Sequence, residues 1–415
     1  MTDQRPFYRL TPEKRRERLA QQANLSKEQL DCLQKQSSRF GNELVENYVT
    51  DYRLPMGVVT GLMVNNKTYT VPMVTEEPSV IAAANNGAKR VRLSGGFHAE
   101  KQEHQVIGQV IISPVKDSAK CIRWLAQHTA EMIKVANAVR PSLVKRGGGA
   151  WKIEVRPLPD YLSVDIYIDV QEAMGANSVN TMAEAVGQYL INEGFPVLTA
   201  ILSNLYLGSL QKVSCLVQTD YLKTAAMSGL QVAKRIASLS KLAQVDVLRA
   251  ATHNKGIMNG IDAAVIASGN DWRSVEASAH AYAAYGHPYH GLATWQLTKQ
   301  GLRGELTLPV SLGVVGGSIK LSQQSKINYQ ISGIRTSAEL AAVVLSIGLA
   351  QNLAALRALA TTGIQAGHMQ LQYRSLAVSV GANADEVDKV VDALKPMDQV
   401  DQAAAKKVLQ KIRRE

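Results

Sequence analysis

Between Arg249 and Arg273 the chain reads RAATHNKGIMNGIDAAVIASGNDWR, with single charges standing among glycine, alanine, asparagine and threonine. Surface charge normally rides on long helical side chains of alternating sign. Here Arg249, His253, Lys255, Asp262, Asp271 and Arg273 have neighbours small enough for backbone or ligand to come close. A lysine and an aspartate in such surroundings can stabilise a developing oxyanion while each holds the other's protonation state. The same residue types also suit a loop built on a buried Lys–Asp pair, since structural ion pairs perturb protonation as well. Two adjacent carboxylates, Glu76 and Glu77, form a second candidate group in TEEPS. Gly147-Gly148-Gly149 and Met174-Gly175-Ala176-Asn177 form two glycine clusters. A helix preceded by glycine and asparagine offers free N–H groups to a phosphate, and tight turns use the same residues. No GxGxxG follows a strand and no GxxxxGK[ST] is present, so neither common nucleotide fingerprint applies. The histidines of HPYH (287–290) lack a carboxylate or cysteine partner and read as a surface loop.

The pattern around these groups predicts the elements that position them. KTYTVPMV (67–74) is strand-like and leads through the EEPS turn into a helix from Ser79. HQVIGQVIISPV (104–115) predicts a strand, 117–139 one long helix, and WKIEVRPL (151–158) and YLSVDIYIDV (161–170) two more strands. In the last, Leu162, Val164, Ile166, Ile168 and Val170 alternate with polar residues, the period of a half-buried strand. A helix over 177–193 and a strand at 210–218 complete β-α-β-β-α-β, the ferredoxin-like split pattern. Thr11-Pro12 and Ser26 with Gln29 predict two short N-terminal helices. Leu340–Leu356 is a long uncharged apolar run with a capping-box pattern at Thr336 and Glu339 and a stop at Gly363; it reads as a buried core helix. Beyond it, Pro396 separates two amphipathic helices. The fold class expected is α/β (α+β), a large helix-rich domain with an inserted ferredoxin-like domain and a C-terminal helical flap. The boundaries are 1–104 with 216–366, 105–215, and 367–415.

Composition narrows the function. The chain has 415 residues, 46% hydrophobic and 20% charged, and suits two or three globular domains. Its formal charge is +11, yet the basic residues are spread without aromatic interleaving, which fits attraction of polyanionic small molecules better than nucleic acid. Cys32, Cys121 and Cys215 are far apart with no CxxC, as expected in a reducing cytoplasm. The first residues, MTDQRPFYRL, carry no apolar signal core.

ATHNKGIMNGID followed by GNDWR closely resembles the soluble, bacterial class II form of hydroxymethylglutaryl-coenzyme A reductase. TEEPSVIAAA (75–84), EAMGANSVNTMAEA (172–185), ILSN (201–204), VGGS (315–318) and GLAQNLAALRALATTGIQAGHM (348–369) resemble the same family in its order. The resemblance implies reduction of a thioester to mevalonate and coenzyme A with two NADPH and no metal. It implies a cytoplasmic homodimer that builds its site across the interface. For the chemistry it points to Lys255 as oxyanion stabiliser, Asp271 as the group holding that lysine, Glu77 as proton donor and His368 as donor to the departing thiolate. Arg249, Asn259, Ser79 and Asn204 are implied contacts to the acyl group. Met174, Gly175, Ala176 and Asn177 are implied for the nicotinamide cofactor, with Glu172 where the family more often has aspartate.

NAD-using relatives carry an acidic residue seven positions before the GGG; here Arg140 stands there, with Lys145 and Arg146 behind it. An arginine can fork onto a 2′-phosphate, which predicts NADPH over NADH. Against the resemblance, ENYVTDYRLP (46–55) replaces the family's glycine by Thr50 and adds Asp51. Two other readings compete: the NAD-dependent oxidative direction, and a catalytically silent coenzyme A- or nucleotide-binding homologue.

Overall fold

The computed structural model describes residues 5–38, 40–361, 363, 373–397 and 400–414. Residues up to Pro55 form one compact unit and those from Met56 another. In the first, Thr11 caps the helix Pro12–Ala23, and Ser26 and Gln29 close a full capping box on the helix Lys27–Lys35. The Arg15 guanidinium is buried and donates to Asn42 Oδ1 at 2.7 Å and to the Tyr8 and Tyr48 carbonyls. The two departures in ENYVTDY have local partners. Thr50 Oγ1 donates to the Leu33 carbonyl at 2.8 Å, and Asp51 accepts from Tyr48 Oη at 2.9 Å.

Among its described residues the second unit holds ten strands: β1 Met56–Val64, β2 Lys67–Val74, β3 Phe97–Ala99, β4 Gln105–Ile112, β5 Gly149–Leu158, β6 Tyr161–Asp169, β7 Val197–Leu202, β8 Leu210–Val217, β9 Ala293–Thr298 and β10 Gly301–Pro309. They make a six-stranded sheet in the order β2-β1-β3-β8-β10-β9 and a four-stranded sheet in the order β5-β6-β4-β7. Asn65 and Asn66, at φ of 48° and 63°, supply the two left-handed residues that a tight β1–β2 hairpin needs.

The four-stranded sheet is antiparallel and ferredoxin-like, with one correction. Its fourth strand is β7, paired along β4, whereas the 210–218 segment is β8 and pairs with β3 and β10 in the larger sheet. Leu198 and Ile201 of β7 face outward, which hides the alternation that would mark a strand. The inward set of β6 is buried as expected, but Ser163 and Asp165 on its other face are buried too. Asp165 accepts there from Arg156 Nε at 2.8 Å and Gln109 Nε2 at 3.1 Å. The helix expected over 117–139 is two, Ser118–Gln127 and Thr129–Ala138. His128 leaves helical geometry between them, bonds the Trp124 carbonyl through Nδ1 at 2.7 Å and stacks on the Trp124 ring.

Ser337–Ala360 is long and apolar enough to cross a membrane, and it lies buried in the core of the larger sheet's layer. Thr336 Oγ1 accepts from Glu339 N at 3.2 Å, but only half the capping box forms, because the Glu339 carboxylate takes Lys67 Nζ at 2.7 Å and Arg335 N at 2.9 Å. Gly363, at φ 82°, returns its N–H to the Ala358 carbonyl and stops the helix. Ala384–Leu394 and Gln402–Ile412 turn their apolar faces onto Tyr373 and Ala377 in a small core of their own.

Candidate active site

Two helices lie against the buried Ser337–Ala360 helix and carry the polar groups. Ser79–Arg92 approaches it at Gly87, where a Cβ would lie 2.0 Å from the Ala350 carbonyl oxygen. Val247–Ser268 approaches it at Gly260, where a Cβ would lie 3.1 Å from Ile347 Cγ2. A shared, close-packed support fixes one helix relative to the other. Glu77 stands just before the first helix, its N–H on Thr75 Oγ1 at 3.2 Å.

At this junction Lys255 Nζ lies 3.0 Å from Glu77 Oε2, and Asn259 Nδ2 donates to the same oxygen at 3.5 Å. Ser79 Oγ donates to Glu77 Oε1 at 3.1 Å. Lys255 and Asn259 share a helix face because they are four residues apart. Of the adjacent carboxylates, Glu76 is exposed and Glu77, which meets Lys255, is half-buried. Lys255 is 65% exposed and Glu77 33%, so the pair is open to a ligand rather than sealed in the core. An ammonium beside a carboxyl group and an amide donor can bind a carbonyl oxygen, stabilise charge on it and deliver a proton.

The Arg249–Asp271 run is therefore neither a loop nor a buried Lys–Asp pair. It is helix as far as Ser268, and its lysine pairs with Glu77. The expected contact between Asp271 and Lys255 is not made within the chain. Thirteen residues of helix separate Lys255 from Ser268, about 20 Å at 1.5 Å per residue. Asp271 lies past that end, where it caps the helix Trp272–Tyr282 and accepts from Arg273 Nε at 3.3 Å. Arg249 is half-buried, with no hydrogen-bond or ion-pair partner among the described residues, and burial lowers its pKa. Asn204 is exposed after β7 and accepts from Tyr206 Oη at 2.9 Å, apart from the Glu77 group. His368 lies outside the described residues.

The sequence reading named Asp262 on the lysine-bearing helix but gave it no role and no partner. Asp262 hydrogen-bonds Glu276, Glu276 pairs with His280 Nε2 at 2.8 Å, and His280 Nδ1 meets Tyr289 Oη at 2.8 Å. Tyr289 Oη accepts from Asn254 Nδ2 at 3.0 Å. Burial and the Glu276 carboxylate push the Asp262 pKa up, whereas the His280 hydrogen bond pulls that of Glu276 down. Asp262 thus acts as the proton donor of the pair. A carboxyl whose folded pKa is raised favours the fold below its unfolded pKa, near 3.9, and weakens it progressively as pH rises towards the folded value. Asp262→Asn keeps the donor and removes the titration. Its melting temperature should match wild type near pH 4 and exceed it increasingly up to pH 8, as a pH series of thermal melts would record.

Of the residues implied for the cofactor, Arg140 and Asn177 meet. Arg140 donates through Nη2 to Thr181 Oγ1 at 2.6 Å and to the Asn177 carbonyl at 3.2 Å, joining the helix ahead of GGG to the one after MGAN. Its Nε is buried without a partner among the described residues. Thr181, one turn beyond Asn177, had no signal of its own in the sequence. Lys145 and Arg146 are exposed beside it at the end of the helix Pro141–Lys145. Gly175, at φ 94°, starts the 17-residue helix Ala176–Asn192 without a side-chain cap, and a Cβ on it would lie 2.4 Å from Val170 Cγ1. The cradle is open to a phosphate at uncapped N–H groups, with guanidinium and ammonium groups near, and so fits a nicotinamide dinucleotide carrying an extra phosphate. Glu172 Oε2 accepts from Ser337 N at 2.6 Å, which gives the glutamate in this position a definite anchor.

Comparison with known proteins gives the family and the fold. The family model described as hydroxymethylglutaryl-coenzyme A reductase matches residues 11–373. The 3-hydroxy-3-methylglutaryl-coenzyme A reductase of Archaeoglobus fulgidus is 39% identical, over 98% of this chain and 94% of that protein. A solved reductase structure from Streptococcus pneumoniae superposes with a TM-score of 0.77 at 42% identity, covering 98% of this chain and 99% of that one. A second, described as the class II enzyme bound to NADPH in open conformations, gives a TM-score of 0.77 at 43% identity over 97% and 100% of the two chains. With the family model matched over residues 11–373 and a relative 39% identical over nearly the whole chain, the chain belongs to the hydroxymethylglutaryl-coenzyme A reductase family.

Proposed function

We propose that this chain reduces 3-hydroxy-3-methylglutaryl-coenzyme A to mevalonate and coenzyme A with two NADPH, in the mevalonate route to isoprenoids, as a homodimer in the cytoplasm. The observation that carries this reading is the 3.0 Å pair of Lys255 and Glu77, with Asn259 and Ser79 on the same carboxyl group. Two NADPH, bound in turn, would supply one hydride each. Lys255 stabilises the oxygen of the thioester, and then of the aldehyde, as it gains charge. Glu77 delivers a proton to that oxygen and is held for the task by Ser79 and Asn259. Arg249, without an anion partner among the described residues, binds the acyl carboxylate, with Asn204 as a further polar contact. His368 protonates the departing thiolate.

The cofactor is held by Met174–Asn177 at the helix N-terminus, with Arg140, Lys145 and Arg146 reading the 2′-phosphate. The small domain of the family spans about 105–215 here, set within 1–104 and 216–366, with 367–415 as flap. Arg140 stands against the NAD-dependent oxidative reading, and the assembled Lys255–Glu77 pair against a silent homologue. The test is the fall in nicotinamide absorbance with the thioester and NADPH or NADH in turn; rapid loss with NADPH alone is expected.

The distance from Lys255 to its own Asp271 carries the dimer. If Asp271 holds the lysine charged, as in the family, it does so from a second copy. Mixing Lys255→Ala with Asp271→Ala chains should then restore activity, because each mixed dimer contains one site with both residues. With half the dimers mixed, recovery near one quarter of wild type is expected, and no recovery would place both residues' roles in one chain.

A further inference from the structure

Between β6 and the helix Ala176–Asn192 the chain makes a turn in which Gln171 has φ 56° and Gly175 φ 94°. Glycine takes the left-handed region readily, whereas a glutamine there is held by its surroundings. His104, just before β4, supplies the hold: Nδ1 lies 2.6 Å from the Gln171 carbonyl oxygen and Nε2 lies 2.9 Å from Ser311 Oγ. Ser311 Oγ lies 2.9 Å from the Met174 carbonyl oxygen.

Counting hydrogens gives this chain of contacts a direction. A carbonyl only accepts, so Nδ1 carries a proton. Ser311 has one hydrogen and two acceptors facing it, Nε2 and the Met174 carbonyl. With His104 neutral, Nε2 is a lone pair; the hydroxyl satisfies one acceptor and leaves the other. With His104 protonated, Nε2 donates to Ser311 Oγ and the hydroxyl is free for Met174. Burial holds the His104 pKa below the ordinary imidazole value, against the Gln171 carbonyl and the carboxylates of Asp169 and Glu172, the charged groups facing the ring, which favour its charged form.

We propose that His104 is a positioning residue for the cofactor segment: it fixes the Gln171 carbonyl directly, and through Ser311 its protonation decides whether the Met174 carbonyl is gripped. The inference rests on the reading of Met174–Asn177 as that segment. It makes His104 and Ser311, which are 207 residues apart in sequence, one unit.

The test measures NADPH dissociation constants by nicotinamide fluorescence without the thioester, and amide exchange over 171–177 without any ligand. His104→Ala should weaken NADPH about tenfold or more, speed that exchange, and leave the KM for the thioester within twofold. His104→Asn, whose amide can donate where Nδ1 did, should recover most of the loss. Wild-type NADPH affinity should rise as pH falls below the ordinary imidazole value of about 6.5, because burial lowers the His104 pKa, by a step that His104→Asn and Ser311→Ala both lack. The double variant should be no weaker than the worse single one. Unchanged affinity and exchange in His104→Ala, or a pH step that survives in both variants, would overturn the inference while the cofactor reading stands. Faster exchange in His104→Ala alongside wild-type protein that binds no NADPH would overturn the cofactor reading, and the proposed role with it.

Discussion

Lys255→Ala is expected to lower kcat by at least 10²–10³-fold while the KM for the thioester moves by no more than a few-fold. Removing one preorganised oxyanion donor costs about 10²–10³ in rate, and here a full charge is lost as well. The lysine acts on charge that exists only in the transition state, so turnover falls and ground-state binding does not. The fold should be unaffected. The side chain is 65% exposed and its one ion pair, to Glu77, is open to solvent, and such pairs contribute about 0–1 kcal/mol. Steady-state kinetics beside a thermal melt would check all three statements. Wild-type kcat would remove Lys255 from the chemistry.

Arg140→Asp is expected to exchange the cofactor preference. Charge-assisted contacts contribute roughly 1.5–3 kcal/mol, so the ratio of KM values for NADPH and NADH should shift by about one to two decades towards NADH. The guanidinium also ties Asn177 and Thr181 together. Some loss with both cofactors is therefore expected beneath the change in ratio. Arg140→Lys should keep part of the preference, since a point charge replaces a planar fork. If neither variant changed the ratio, Lys145 or Arg146 would have to read the phosphate.

Local pattern made much of the fold legible. β2 and the helix from Ser79 fall where residue types predicted, because a β-branched run ends in a Glu-Glu-Pro turn beside a stretch of small residues. Pairing between distant strands was not legible. β8 has the alternation of a sheet strand, but nothing local says which sheet it joins. In β7 the outward Leu198 and Ile201 erase the alternation altogether.

The site divides in the same way. Lys255 with Asn259, and Asn177 with Thr181, are pairs that helical spacing can reveal. That Glu77 rather than Glu76 meets Lys255 took the structure to show, and Asp271 is no neighbour of Lys255 within the chain because the helix runs on from Lys255 to Ser268 before it. Sequence distance hid the contact of Asp262 with Glu276 and that of His104 with Ser311, each of which joins two separate segments of the chain, whereas Glu276 and His280 are one turn apart on a single helix.

The claim that this chain carries out a four-electron reduction of a thioester is tested most directly by stoichiometry. Hydroxymethylglutaryl-coenzyme A is supplied in limiting amount with excess NADPH, and absorbance loss is recorded together with free thiol. Two NADPH consumed for each thiol released is the predicted result. One NADPH per thiol, or thiol release without NADPH loss, would contradict it.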